Sequence, residues 1–140
     1  MVEIKVMLDK GAKMPTKAHK SDAGYDIYAP EPFGVVQKGS WEIDTGVHML
    51  IPEGYVGMIK SKSGLNVNHG LRCEGVVDAN YVGSIRVKMY NDSNATYIFE
   101  EGDNVTQIVI LPIPETELVQ VDNLPETERG DRGFGSSGAR

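Results

Sequence analysis

Cysteine is almost missing from this 140-residue chain. Cys73 is the single one, so no internal disulfide can form, and a reducing, cytoplasmic setting is expected. Long apolar runs are missing too. No stretch approaches the ~20 residues of a membrane helix, and the opening Met-Val-Glu-Ile-Lys-Val-Met-Leu lacks the apolar region of a signal peptide. No membrane association is therefore expected. Positive charge is short: 14 Lys and Arg stand against 20 Asp and Glu, a formal charge of -6. That balance argues against a protein that coats nucleic acid, although a local group of cations can still hold a small polyanion. His19, His48 and His69 have no close-spaced partner for a metal ion and read as ordinary surface or core residues. Finally, no segment keeps a 3.6-residue apolar period, which excludes a helical bundle.

What the chain does have is many short alternating runs broken by turns. Val2, Ile4, Val6 and Leu8 alternate with polar or exposed-type positions, and 9–21 reads as a loop. Strands follow around Asp26, from Phe33 to Val36, at Trp41 and Ile43, over 47–51 and over 55–60. The last two are joined by Pro52-Glu53-Gly54, whose residue types suit a type I turn. Later strands are expected at 96–99 and 105–111, with an edge strand at 117–121. Such a pattern predicts an all-β sandwich or barrel with at most one short helix. The domain is expected to span 1–122, and 123–140 to form a flexible C-terminal arm, because its Gly, Ser and Arg residues can bury little.

Four stretches carry chemistry. Gly75-Val-Val-Asp-Ala-Asn-Tyr-Val-Gly83 reads as the tip of a β-hairpin, with Asp78 in the turn and Tyr81 opening the second strand. Ser61-Lys-Ser-Gly-Leu65 interrupts the strand pattern before a run, 66–70, with room for one helical turn. A Ser-Gly pair at such a junction turns backbone N–H groups outward beside a hydroxyl and an ammonium, which suits phosphate; an N-cap serine before a turn glycine is the plainer reading. Gln107 lies inside an apolar strand and needs partners for its amide, from neighbouring backbone or from a ligand. Arg129 offers a fork for phosphate, Phe134 a flat stacking face, and the nearby Gly/Ser backbone an anion nest.

Five motifs in order make the chain similar to the trimeric deoxyuridine triphosphatase (dUTP pyrophosphatase) family. They are Ala23-Gly-Tyr-Asp-Ile-Tyr-Ala29, Ser61 to Leu65, Gly75 to Gly83, Gly102-Asp-Asn-Val-Thr-Gln107, and Arg129-Gly-Asp-Arg-Gly-Phe-Gly-Ser-Ser-Gly138. The resemblance implies a jelly-roll fold and a homotrimer with three shared sites. It also implies hydrolysis of dUTP to dUMP and pyrophosphate with Mg²⁺, supplying dUMP for dTMP synthesis and keeping uracil out of DNA. By the same resemblance Asp78 is the base that activates water, and Gln107 joins it in catalysis. Lys62, Ser63, Gly64, Arg129, Gly135, Ser136 and Ser137 handle phosphates. Gly75, Val76, Val77 and Arg86 read uracil, Tyr81 excludes a 2′-hydroxyl, and Phe134 stacks on the base. Asp26 holds Mg²⁺ through water, the ion resting mainly on the phosphates.

The sequence departs from the family pattern at several places. Lys62 replaces the usual Arg, trading a rigid fork for a point charge. Asn80 stands for a frequent Asp, Asn104 for a frequent Arg, and Ser137 for Thr. Arg72 occupies a position where some relatives read uracil with an asparagine, so backbone is expected to do that reading here. Two other classes are weighed against hydrolysis. A dCTP deaminase shares the fold, but its Arg-Ser-Ser pattern is absent. Some phage and bacterial relatives also bind regulatory proteins, a role that the exposed-type loop 9–21 could serve.

Overall fold

The computed structural model describes residues 1–133 and Gly135. Eleven strands and one helix follow in order: β1 (Lys5–Leu8), β2 (Gly24–Tyr28), β3 (Phe33–Val35), β4 (Ser40–Asp44), β5 (Val47–Leu50), β6 (Tyr55–Lys60), α1 (Ser63–His69), β7 (Leu71–Arg72), β8 (Glu74–Val77), β9 (Arg86–Asn91), β10 (Tyr97–Phe99) and β11 (Asn104–Pro112). The architecture is a jelly roll, all its named strand pairs antiparallel. One sheet runs β2-β11-β6-β8 and a second β4-β9-β7, with β1-β5 and β3-β10 as two-stranded ribbons. Among the described residues no helix is long and apolar enough to cross a membrane.

Period-two alternation builds the core. Strand β9 shows it cleanly: Val87, Met89 and Asn91 are buried, while Arg86, Lys88 and Tyr90 face out. Strand β11 is central, paired with β2 on one side and β6 on the other, which explains its long apolar run. Phe33 and Phe99 stack at 4.7 Å between ring centroids, and Ile27, Ile59, Val87 and Ile108 fill the space between the sheets. Each such side chain gains about 1.5–3 kcal/mol from burial, so interior pairings outweigh local turn preferences. Buried Asn91 is satisfied by donating to the Val35 and Ala95 carbonyls, both at 2.9 Å, and by accepting from Ser93. That bonding ties β9 to β3 at no desolvation loss.

Three expectations need correction. The stretch 75–83 is not a hairpin. Strand β8 pairs with β6 and β9 with β4, so the eight residues Asp78 to Ile85 cross from one sheet to the other. Tyr81 therefore lies in a loop and opens no strand. Alternation marks a strand's faces but not its neighbour, and the jelly roll uses Val77 and Val87 on separate sheets. The edge strand at 117–121 is also absent, and every residue from 111 to 132 is exposed. Leu118 is 98% exposed, with Val119, Val121 and Leu124 also open to solvent, so this chain alone has no strand edge covering them. Finally, α1 begins at Ser63 rather than at 66, and Lys62, not a serine, is its N-cap. Gly70 ends it at φ 68°, a left-handed conformation that a residue with a Cβ adopts only at a cost.

Candidate active site

Register sets the first half of the site. Gln107 on β11 stands directly opposite Asp26 on β2 and Lys60 on β6, and Lys60 stands opposite Glu74 on β8. Paired residues share a face, so a polar row crosses the four-stranded sheet. Loop 9–21 clamps this row at its edge: the Thr16 N–H donates to the Asp26 carbonyl at 3.2 Å, and the Asp26 N–H returns a bond at 2.6 Å.

Immediately after β6 the chain turns into α1, and Lys62 points back to Asp26, Nζ to Oδ1 at 2.6 Å. Both side chains are largely sheltered, 28% and 14% exposed, so this ion pair is better formed than an open surface pair. The Gln107 amide donates to the Ser61 carbonyl at 3.0 Å. Its Oε1 passes so close to Gly24 that a Cβ there would stand 2.5 Å away. That glycine is what lets the glutamine lie across the sheet. Gly24→Ala is expected to displace Gln107 and destabilise the fold by about 1–3 kcal/mol, read as a lower urea midpoint. An unchanged midpoint would show that Gln107 can yield without loss.

The start of α1 completes the arrangement. Asn66 makes the first intrahelical bond, to the Lys62 carbonyl at 2.9 Å, so the N–H groups of Ser63, Gly64 and Leu65 precede that ladder. There is no acidic residue in the first turn and no side-chain cap. A Cβ at Gly64 would meet nothing within 4 Å, so the backbone there is open to approach. Asp26, Lys62, Ser63, Gly64 and Gln107 thus come together as a cradle with one ammonium, one carboxylate, one amide and free backbone donors. Chemically it suits a polyphosphate.

The second half is a slot of about 300 Å³ lined by Ile59, Gly75, Val76, Val77, Asp78, Tyr81, Ile85 and Arg86. All the residues expected to read the base or the sugar from the main fold meet here. The Tyr81 hydroxyl donates to the Ser84 carbonyl at 2.9 Å, and its ring lies over Gly83, where a Cβ would collide with it. Arg86 pairs with Glu42 at 3.1 Å, which fixes its direction at the slot's edge. Asp78 is exposed at the rim. Asp78 also borders a cavity of about 680 Å³ whose lining includes Glu53 and Glu115, and the three carboxylates would repel phosphate. Arg72 is held away from the slot by Asp92, at 2.7 Å, and by the Tyr90 ring.

Cradle and slot occupy different parts of the same strand pair. Val77 stands opposite Gly57, whereas the cradle begins beyond Lys60 at the other end of the same strand pair. At ~3.3 Å per residue Val77 is on the order of 10 Å from the Lys60 end, while Ile59 and Gly75, which also line the slot, adjoin Lys60 and Glu74. Arg129 is exposed and its Nε donates to the Arg132 carbonyl at 2.6 Å; no described hydrogen bond joins 127–133 to cradle or slot. Phe134, Ser136 and Ser137 lie outside the described residues. Sequence reasoning did not anticipate the Lys62–Asp26 pair, the room made by Gly24, or Ile59 as the slot's inner wall. Gly24 could have been noticed as a glycine inside a strand, which marks a close approach.

A jelly roll with a polyphosphate cradle on one sheet and a backbone-lined slot at its crossing loop belongs to the nucleotide-handling β-proteins. The chain is a member of the dUTPase family, whose family model matches residues 10–138. It is 40% identical over 129 residues to the deoxyuridine 5′-triphosphate nucleotidohydrolase of Kluyveromyces lactis, covering 91% of this chain and 87% of that one. It is 39% identical over 130 residues to the enzyme of the same name from Leifsonia xyli subsp. xyli, covering 90% and 86%. Among solved structures, a mutant dUTPase of Staphylococcus bacteriophage 80alpha bound to dUpNHpp superposes with a TM-score of 0.92 at 33% identity, over 99% of each chain. A mutant dUTPase of phage phi11 of S. aureus, solved for its coordination of a structural Mg(II) ion, gives 0.82 at 31% identity, over 89% of this chain and all of that one.

Proposed function

We propose that this chain hydrolyses dUTP to dUMP and pyrophosphate, keeping uracil nucleotides out of DNA and supplying dUMP for dTMP synthesis. The observation that carries this reading is the slot: Gly75, Val76, Val77, Tyr81 and Arg86 around one nucleoside-sized space, with a carboxylate at its mouth. Backbone groups of Gly75 to Val77 would pair with the uracil edge, where mismatched donors reject cytosine far more strongly than bulk rejects thymine. The Tyr81 ring would lie against the deoxyribose and leave no space for a 2′-hydroxyl. Asp78 would take a proton from water as its oxygen bonds to the α-phosphorus, and the bond to the α,β-bridging oxygen breaks to release pyrophosphate. A positioned base contributes ~10²–10⁴ in rate, and the rest of phosphoryl transfer depends on placement and charge.

The cradle would take the triphosphate of a nucleotide whose base lies in another copy's slot. The family resemblance, with its three shared sites, supports this reading. A homotrimer with three shared sites is the arrangement the family resemblance implies, with Arg129, Phe134, Gly135, Ser136 and Ser137 closing from the arm. Gln107 would steady the phosphates from the sheet side. The donor set also fits Mg²⁺: Asp26 supplies one sheltered carboxylate beside the cradle. Such a hard cation would rest mainly on phosphate oxygens, with Asp26 holding its water. When bound it would supply neutralisation of phosphate charge. Lys62 already answers part of the Asp26 charge, so its ammonium would be shared between carboxylate and phosphate.

The test is pyrophosphate release from each nucleoside triphosphate in turn, with and without Mg²⁺. Release from dUTP alone is expected; ammonia release from dCTP would decide for a deaminase instead. In the same panel Tyr81→Ala is expected to admit UTP. Continued strict rejection of UTP would remove the sugar gate from this ring.

A further inference from the structure

We infer that His48 is a positioning residue whose imidazolium latches the Tyr81 loop to the body of the fold. The inference rests on the reading that Asp78 and Tyr81, both on that loop, handle the nucleotide. His48 lies on β5 opposite Met7 of β1. Its Nδ1 is 2.7 Å from the Val82 carbonyl oxygen, and its Nε2 is 3.0 Å from Asp9 Oδ1. A carbonyl and an ionised carboxylate only accept hydrogen bonds. A neutral imidazole carries one N–H and can serve one of them; the imidazolium serves both. Val82 adjoins Tyr81 and lies four residues beyond Asp78, so the proton on Nδ1 reaches the loop that forms the slot.

The charges around the ring favour that proton. The Val82 carbonyl and the Asp9 carboxylate hold His48 above the ordinary histidine range, and Asp44 on β4 adds to the effect. Lys5 on β1 lines the same hollow as His48 and Val82 and opposes it, and Arg86 stands near Asp44. The other loop anchors do not change over the same range. Asn80 donates to the Ile51 carbonyl, Ile85 to the Val47 carbonyl, and the Thr45 hydroxyl to the Ile85 carbonyl. Asp44 accepts from Ser84 and from the Gly46 N–H, which hold it below the usual carboxylate range and therefore ionised. The sign follows from linkage. A raised histidine pKa stabilises the fold fully below the unfolded value, and that stabilisation is lost as pH rises through the folded value.

The experiment compares wild type, His48→Gln and Asp9→Asn from about pH 6 to about pH 9. Amide exchange at 81–84 is read in the free protein, and kcat and KM for dUTP with Mg²⁺ in the active one. The expected result is a loop protection, relative to His48→Gln, that disappears as pH rises. Over the same range the wild-type KM should rise about threefold or more relative to the variant, with kcat moving less. Asp9→Asn should move both steps to lower pH, and nitrogen NMR of the ring should show both N–H protons near neutrality. Identical exchange and KM profiles in wild type and His48→Gln would overturn the latch. So would a neutral ring near pH ~7, a measurement that needs no variant to fold. A chain inactive on dUTP would sink the functional reading instead, while exchange and NMR would still decide the role of His48.

Discussion

Asp78→Asn is expected to lower the dUTP hydrolysis rate by ~10²–10⁴-fold while dUTP still binds. The side chain is exposed at the slot's rim and the substitution is isosteric, so neither packing nor volume changes. The loop keeps its anchors at Ile51, Val47 and Ser84, none of which uses the Asp78 carboxylate. What is lost is the capacity to accept a proton from the attacking water, because an amide is not a base. Glu53 and Glu115 line a separate cavity that Asp78 also borders, and neither lines the slot. Stopped pyrophosphate-release assays give the rate, and calorimetric titration with dUTP gives the affinity. Full activity in the variant would remove Asp78 from the chemistry.

The second large effect concerns ownership of the site. Gly64→Asp should put a carboxylate into the phosphate cradle without disturbing the fold, since a Cβ there has open space. An acidic residue in the first helical turn is favourable to the helix itself. Alone, this variant and Asp78→Asn should each be nearly inactive. Co-refolded in equal amounts, they should regain about a quarter of wild-type activity. The fraction is the chance that a site pairs an intact base from one copy with an intact cradle from another. Against the residual rate of Asp78→Asn this is a rise of about 25-fold or more. No recovery after mixing would mean that the cradle and slot of a site belong to one chain, contrary to the shared-site proposal.

Much of the fold was legible because alternation is local. The strands at 55–60 and around Val87 and Met89 follow from which side chains can face a core. The cradle residues were legible as residue types: a Ser-Gly junction, and a glutamine inside an apolar run. Their contacts were not. Lys62 meets Asp26 only because β2 and β6 flank β11 in register, a pairing of segments 36 residues apart. The hairpin reading failed for the same reason in reverse. Asp78 and Tyr81 are near in sequence, and a short turn is the cheapest local explanation, yet Val77 and Val87 bury themselves in different sheets. His48 was set aside because no metal-ligand spacing surrounds it; its partners, Asp9 and the Val82 carbonyl, come from segments 39 and 34 residues away.

By itself, then, the sequence determined an all-β chain without a disulfide, the five motifs, and the chemical groups a nucleotide triphosphatase needs. Those follow from composition, period and residue type, which act over a few residues. Tertiary structure decided that Asp78 to Ile85 is a crossing between sheets, that Lys62 meets Asp26 beside Gln107, and that the His48 imidazole meets the Val82 carbonyl of the crossing loop. Each of these depends on which strands become neighbours. That choice is made by burying apolar faces across the whole domain, and no short stretch of sequence contains it.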